Sequence, residues 1–504
     1  MKRKLALLLA ALMLASSFAS CASDSGSDVK DSGNQAAATT AAETAGETKP
    51  VIQINPNLPA EDYEGYNFVF LSRWLNHLDW TPVWDPHDLD AEAENGEPVN
   101  DAVYKRNQMV EEKYNVVISE NRLEHISQEW QKAFKQEIAS GDNSFDVALP
   151  SIGEGSSNYA VAGNFVDLFT IDNLDLTQPW WDQNAVEDMT IRHKLFMVEG
   201  DLLTNYKDAT AAMVFNKQLY ADNGFEDIYA LVENGNWTFD KLYEMMKGFG
   251  RDVDGDSDMD ENDQYGLVCQ VDSMPSLLNA AGETYALKDE DDMPYITINT
   301  ESAVMKMEKI FDIMYSPDAR NSHKIESTGN IYAIAEQAFK ENRTLFMWIR
   351  MAVAGTLRDM EVDFGIIPVP KYDEKQENHY STVNVNTGYG LCVPVTSKDL
   401  PRTGMILEAL CSASYNNLTT AYYETNLQGK IVRDDESLAM LEIIFSNTLY
   451  DIGQVYNFGT MDSMFMNLSR TDNRNFTSTY AKNEKMILKA IEKLEKNLDK
   501  LDAQ

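Results

Sequence analysis

The sequence predicts an α/β protein with two successive α/β regions. Between Asn67 and Leu149, strand-like and helix-like segments alternate in the order strand, helix, strand, helix, strand. A second series of short apolar runs and helical patterns begins near Trp180. Hydrophobic residues make up 43% of the chain, enough for sizeable cores over two or three domains.

Taken in order, Asn67–Leu71 is a short apolar run suited to a buried strand. Asp101–Tyr114 carries Val103, Val110 and Tyr114 at helical spacing, and Val116-Val117-Ile118 reads as a second strand. Gln128–Ala139 reads as a helix and Phe145–Leu149 as the third strand. The alternation implies a mainly parallel sheet flanked by helices, with ligands bound outside the strand carboxyl ends, here after Leu71 and Leu149. In the second region, Met197-Val198 and Ala212–Phe215 read as strands and Trp237–Phe249 as a helix. Helices near 303–315 and 331–339 precede strands at Thr344–Trp348 and Asp363–Ile367, and Leu391–Pro394 is a late strand. The final segment places Ile487, Ile491, Leu494, Leu498 and Leu501 at alternating spacings of four and three, a stripe that docks on its own domain or forms a coiled coil.

The start of the chain has a different character. Lys2, Arg3 and Lys4 precede an apolar run, Leu5–Ala15, that is too short to span a bilayer and reads as an export signal. Phe18-Ala19-Ser20-Cys21 resembles a bacterial lipobox, so residues 1–21 are expected to be a lipoprotein signal and Cys21 the lipidated residue. From 22 to 50 the chain is dominated by small and polar residues, a composition that favours a disordered linker with a reach of roughly 30 Å. The expected location is extracytoplasmic, on the outer face of the cell membrane and held only through the lipid. A formal net charge of −39 argues against nucleic-acid partners. Cys269, Cys392 and Cys411 lie in apolar contexts with no framework spacing, so buried free thiols are expected, with one bridged pair still open. The six histidines have no metal-ligand spacing.

The sharpest local motif is 252–263, with acids at positions 1, 3, 5, 9 and 12 of a twelve-residue loop. That is the spacing with which such a loop wraps Ca²⁺. Asp252, Asp254, Asp256, Asp260 and Asp263 would offer carboxylates and Asp258 its carbonyl. Ser257 replaces the usual glycine at position 6 and Asp263 the usual glutamate at position 12, which predict a strained turn and a weaker site. A structural calcium is the expected cofactor.

Four segments carry a resemblance to the family 1 extracellular solute-binding proteins of bacterial ABC importers. Ala212–Tyr220 followed by Asn223-Gly224 is similar to the family's strand and "Tyr-Asn-Lys" turn, with Phe215 in the tyrosine's place. Gly235–Leu242 resembles its "Thr-Trp-Asp-Glu-Leu" helix start, and Thr238 is a natural N-cap. Thr344–Trp348 resembles the strand that delivers a cleft tryptophan, and Asp363–Pro370 the "Tyr-Gly-Val-x-Pro-x-Pro" strand exit. The resemblance implies a two-lobe, periplasmic-binding-protein-like fold (type II), each lobe a mainly parallel sheet flanked by helices and the two joined by a hinge. Lobe one would comprise 51–170 and 386–435, and lobe two 171–385 and 436–504. It implies a monomer that captures an oligosaccharide by hinge closure and delivers it to an ABC permease.

A saccharide cleft combines stacking aromatics with forked polar groups. The segment after the first strand supplies Arg73, Trp74, Trp80 and Trp84, and the third strand is followed by Ser151 and Glu154. Trp348 matches the family's cleft aromatic, Arg350 lies two residues on, and Tyr206 and Tyr389 complete the candidate set. Each of these aromatics also reads as core packing, and Trp180-Trp181 as a packed hinge. No Gly-x-Ser-x-Gly, His-Glu-x-x-His or phosphate-cradling glycine loop is present, so no enzyme is expected. A glycan-capture lipoprotein without a transporter, or a binder of peptides or other solutes, stays open.

Overall fold

Phe68, Phe70 and Leu71 are fully buried and make strand β1, Tyr66–Trp74, the centre of the first sheet. The computed structural model describes residues 53–74, 88–124, 128–321, 331–357, 359–415, 417–423 and 435–503. The export signal, Cys21, the linker, Trp80 and Trp84 lie outside these residues. The chain from Pro50 to Gln504 clusters as a single unit.

β1 pairs in parallel with β2, Val116–Glu124, from Tyr66 opposite Val116 to Trp74 opposite Glu124. On its other side it pairs in parallel with β3, Val147–Ala148. Helix α1, Pro98–Tyr114, starts with proline at its first position, where no N–H is required, and the Glu97 carboxylate accepts from Val99 and Asn100. Asn115, at φ 51°, turns the chain out of α1 into β2. Helix α2, Glu129–Ser140, buries Trp130 and Phe134, whose rings stack at 5.3 Å, and the Trp130 indole donates to Leu71 O. The helix is thereby fixed against the strand end where Arg73 emerges.

Downstream come β4 (Ala211–Asn216), β5 (Tyr265–Cys269), a hairpin of β6 (Ala286–Lys288) and β7 (Pro294–Ile296), then β8 (Ala319–Asn321), β9 (Thr344–Arg350) and β10 (Phe364–Ile367). The second sheet has the order β10-β4-β9-β5-β8. Every residue of β4, β5 and β9 is buried, as expected of strands covered on both faces. The sheet is mixed rather than mainly parallel: β5 pairs in parallel with β8 and β9, whereas β4 runs antiparallel to β9 and β10. The reversal follows from how β4 enters, directly from a segment that crosses from the first sheet and opposite to β9. Thr238 caps the helix Phe239–Met246, its hydroxyl accepting from Lys241 N as its position in the sequence predicts.

Two segments run side by side between the sheets. Val198 bridges Leu391, Thr210 bridges Val383, and Asn384 N donates to Ala209 O at 3.0 Å. The strands expected at Met197-Val198 and Leu391–Pro394 are isolated bridges of this crossing, with Cys392 also facing Ala148 and Pro394 facing Phe165. A third segment follows β12 (Thr448–Leu449), which pairs in parallel with β11 (Ser381–Thr382), and contains the short helix Ile452–Val455. The last helix, Phe476–Asp502, buries Phe476, Tyr480, Ile487, Leu494 and Leu498 against the rest of the chain. Cys269, Cys392 and Cys411 are all buried and none is part of a disulfide. Among the described residues no helix is long and apolar enough to cross a membrane.

Candidate functional site

Where the crossing segments pass between the sheets, two adjoining cavities of about 400 and 240 Å³ share Val385, Asn386, Gln454 and Asp462 as walls. The larger is completed from the first-sheet side by Arg73, Ser151, Glu154, Ser157 and Asn158. The smaller is completed from the second-sheet side by Asp272, Pro275, Ser276, Trp348, Arg350 and Met466. Five residues expected from sequence, Arg73, Ser151, Glu154, Trp348 and Arg350, therefore line one continuous cleft. Strand direction explains the meeting: Arg73 lies near the carboxyl end of β1, Ser151 and Glu154 follow β3, and Arg350 ends β9.

The arginines are held firmly. Arg73 is 2% exposed; its Nη2 donates to Asn386 O at 3.0 Å and its Nη1 sits 3.7 Å from Glu154 Oε2. Its guanidinium lies 4.7 Å from the centre of the Tyr389 ring, so buried Tyr389 supports Arg73 from behind and is not a wall residue. Arg350 is ion-paired with Asp272, and its guanidinium is 5.9 Å from the Trp348 ring. Trp348 is 5% exposed, and its indole Nε1 has no hydrogen-bond partner among the described residues. Nor have Asp272 Oδ1 and Ser276 Oγ. Burial, and then the Asp272 carboxylate, push the Asp462 carboxyl up to about 6 against the opposing pull of Arg350 and a hydrogen bond with the Asn386 side chain.

Other expected residues lie elsewhere. Half-buried Trp74 sits under the Arg122 guanidinium at 5.5 Å. Tyr206 is buried beside Lys207 and donates to Asp201, outside the cavity walls. Trp180 and Trp181 both donate to the Glu408 carboxylate, the packed arrangement. Asp272, Ser276, Asn384, Asn386, Gln454 and Asp462 were not anticipated as wall residues. The polar run Asn384–Gly388 between apolar Val383 and Leu391 was a usable signal for the crossing. Asp462, at the start of the helix Met461–Arg470, carried none.

In the loop 252–263, carboxylate oxygens of Asp252, Asp254 and Asp256 lie within 4.8 Å of one another. Ser257 takes φ 74°, the left-handed conformation that a glycine would occupy without strain. Asp263 is buried and accepts from Val253 N and Asp260 N, closing the loop from inside, while Asp260 accepts from Asn262 N. Three carboxylates so arranged fit a hard divalent cation such as Ca²⁺.

No protein-family model matches the sequence, and no curated protein matches it either. Solved structures do. A cyclo/maltodextrin-binding protein complexed with maltotetraose aligns at TM-score 0.54 and 14% identity, covering 87% of this chain and 99% of that one. An ABC substrate-binding protein of Listeria monocytogenes in complex with cycloalternan aligns at TM-score 0.51 and 11% identity, covering 86% and 99%. An ABC transporter solute-binding protein of Agrobacterium radiobacter K84 in complex with ribitol gives 0.51 and 12%, covering 86% and 100%. The mixed α/β architecture, the crossing segments and these alignments agree: the chain has the two-lobe, periplasmic-binding-protein-like fold of ABC substrate-binding proteins.

Proposed function

We propose that this protein is the substrate-binding component of an ABC importer for a carbohydrate, and that it binds without turning its ligand over. The observation that carries the reading is the cleft, whose walls come from both sheets and meet at the crossing segments. The fold neighbours include proteins complexed with maltotetraose, cycloalternan and ribitol, which supports a saccharide or polyol ligand. A ligand touching Arg73 and Glu154 on one side and Trp348 and Arg350 on the other stabilises a closed arrangement of two lobes, 51–170 with 386–435 and 171–385 with 436–504. Cys21 carries the lipid that holds the protein at the membrane beside its permease. Titration calorimetry against a saccharide panel tests the ligand class: saturable binding with no product supports it, and silence across the panel overturns it. Loss of uptake on deletion distinguishes an importer from a capture protein, and release of a Cys21→Ser variant into the medium tests the anchor.

The 252–263 loop binds a structural Ca²⁺ in this reading, supported by the grouped carboxylates of Asp252, Asp254 and Asp256. Chelation is expected to lower the melting temperature of the wild type and leave an Asp252→Asn/Asp256→Asn variant unmoved. An equal response of both proteins removes calcium from the account.

A further inference from the structure

The smaller cavity carries a charge imbalance and a set of unused hydrogen-bonding atoms. Among the described residues of its wall Arg350 is the one cation, and it is already ion-paired with Asp272. Asp462 shares that wall, hydrogen-bonds with the Asn386 side chain and forms no ion pair among the described residues. The Asp272 side chain is 10% exposed, yet its Oδ1 accepts no hydrogen bond from the described residues. Ser276, 5% exposed, likewise has an Oγ with no partner among the described residues, as does the Trp348 indole N–H. Buried polar groups without partners cost stability, and a concentration of them along one cavity wall marks atoms reserved for something that enters.

These atoms specify chemistry. A neutral sugar hydroxyl donates one hydrogen bond and leaves the surplus negative charge uncompensated. An ammonium group donates three and carries the missing positive charge, satisfying Asp462, Asp272 Oδ1 and Ser276 Oγ together. Trp348 supplies an apolar face for a pyranose ring and an N–H for one of its oxygens. We propose that the ligand of this cleft is an amino sugar, a saccharide bearing a protonated primary amine, recognised by Asp462 and Asp272 beside Trp348. This rests on the carbohydrate-binding reading above and narrows its substrate class.

The groups facing Asp462 are Asp272 before the helix Ser273–Ala280, Asp451 before the helix Ile452–Val455, and Arg350 at the end of β9. Two carboxylates and burial together keep the Asp462 carboxyl near 6. It is ionised at neutral pH and protonated in mild acid, where it loses its attraction for an ammonium.

The test is calorimetry with glucosamine and its β-1,4 disaccharide, galactosamine and mannosamine, each paired with its hydroxyl and N-acetyl counterparts, at pH 7.5 and pH 5. The amine-bearing member should bind ~10- to 100-fold tighter than its hydroxyl counterpart at pH 7.5, as a charge-assisted pair allows. That advantage should shrink about tenfold at pH 5, following the protonation of Asp462. Asp462→Asn should bring the amine-to-hydroxyl affinity ratio close to one while the free variant still melts cooperatively. The wild-type pH comparison keeps the test decisive if the variant fails to fold. Equal or tighter binding of the neutral sugars overturns the amine assignment and leaves the carbohydrate reading standing. No binding of any sugar, charged or neutral, overturns both.

Discussion

Trp348 sits where two demands meet. It is 5% exposed and belongs to the buried core of its sheet, so truncation to alanine would cost about 3–5 kcal/mol of stability and confuse packing with binding. Trp348→Phe keeps a six-membered aromatic ring and removes the fused five-membered ring together with its unpartnered N–H. The expected result is a moderate fall in melting temperature, smaller than that of the alanine variant, with an affinity loss of about tenfold read by calorimetry. A large loss of stability with intact affinity would make the indole a core residue alone. As cavity-wall residues, Arg73, Ser151 and Glu154 were legible because they stand near or after strand ends that can be read from apolar runs, and Trp348 with Arg350 through the resemblance of Thr344–Trp348 to the family's strand. Asp272 and Asp462 were not legible. Each precedes or opens a helix, where an acid is ordinary, and what distinguishes them is a set of neighbours brought from distant parts of the chain.

At the scale of elements, α1 shows how one side chain fixes a helix to the crossing. Arg106 is fully buried; its Nη1 donates to Leu202 O at 3.0 Å and its Nη2 to Asp88 O at 2.6 Å. Burial lowers its pKa to about 10 despite the opposing pull of Asp88, so it stays charged at neutral pH. Arg106→Leu strands those carbonyls without a donor and should cost about 3–5 kcal/mol, read from the midpoint of urea unfolding. The amphipathic helices and the long apolar strands were readable because their periodicity is local. The crossing was less so. Met197-Val198 and Leu391–Pro394 have strand composition, but each meets its partner at single bridges, a pattern set by pairing across the chain rather than by either segment. The strand order of the second sheet, and its short edge strand β8, left no local trace either.

For the whole molecule, buried carboxyls set the response to pH. Burial raises Asp188 to about 7 and Asp208 to about 8, above the values these groups have in an unfolded chain. The folded state therefore holds protons that the unfolded state releases, and stability rises as pH falls from about 8.5 to 6.5. His379 opposes this at lower pH. Burial depresses it to about 4, so below 6.5 the unfolded state takes up a proton that the folded state refuses. Two raised carboxyls outweigh one depressed imidazole, so melting temperature should keep climbing as pH falls from 8.5 to about 5, His379 only reducing the slope below 6.5, and Asp208→Asn should weaken the climb. A curve independent of pH across that range would show that these carboxyls are hydrated. The Trp348 indole in the cleft wall has an optical consequence at this same scale. Trp130, Trp181 and Trp237 are sealed in the core, and among the described tryptophans Trp348 alone borders the cavities. Emission from the buried three is a steady background, so a spectral change on ligand entry that disappears in Trp348→Phe reports Trp348, a native fluorophore already installed at the site.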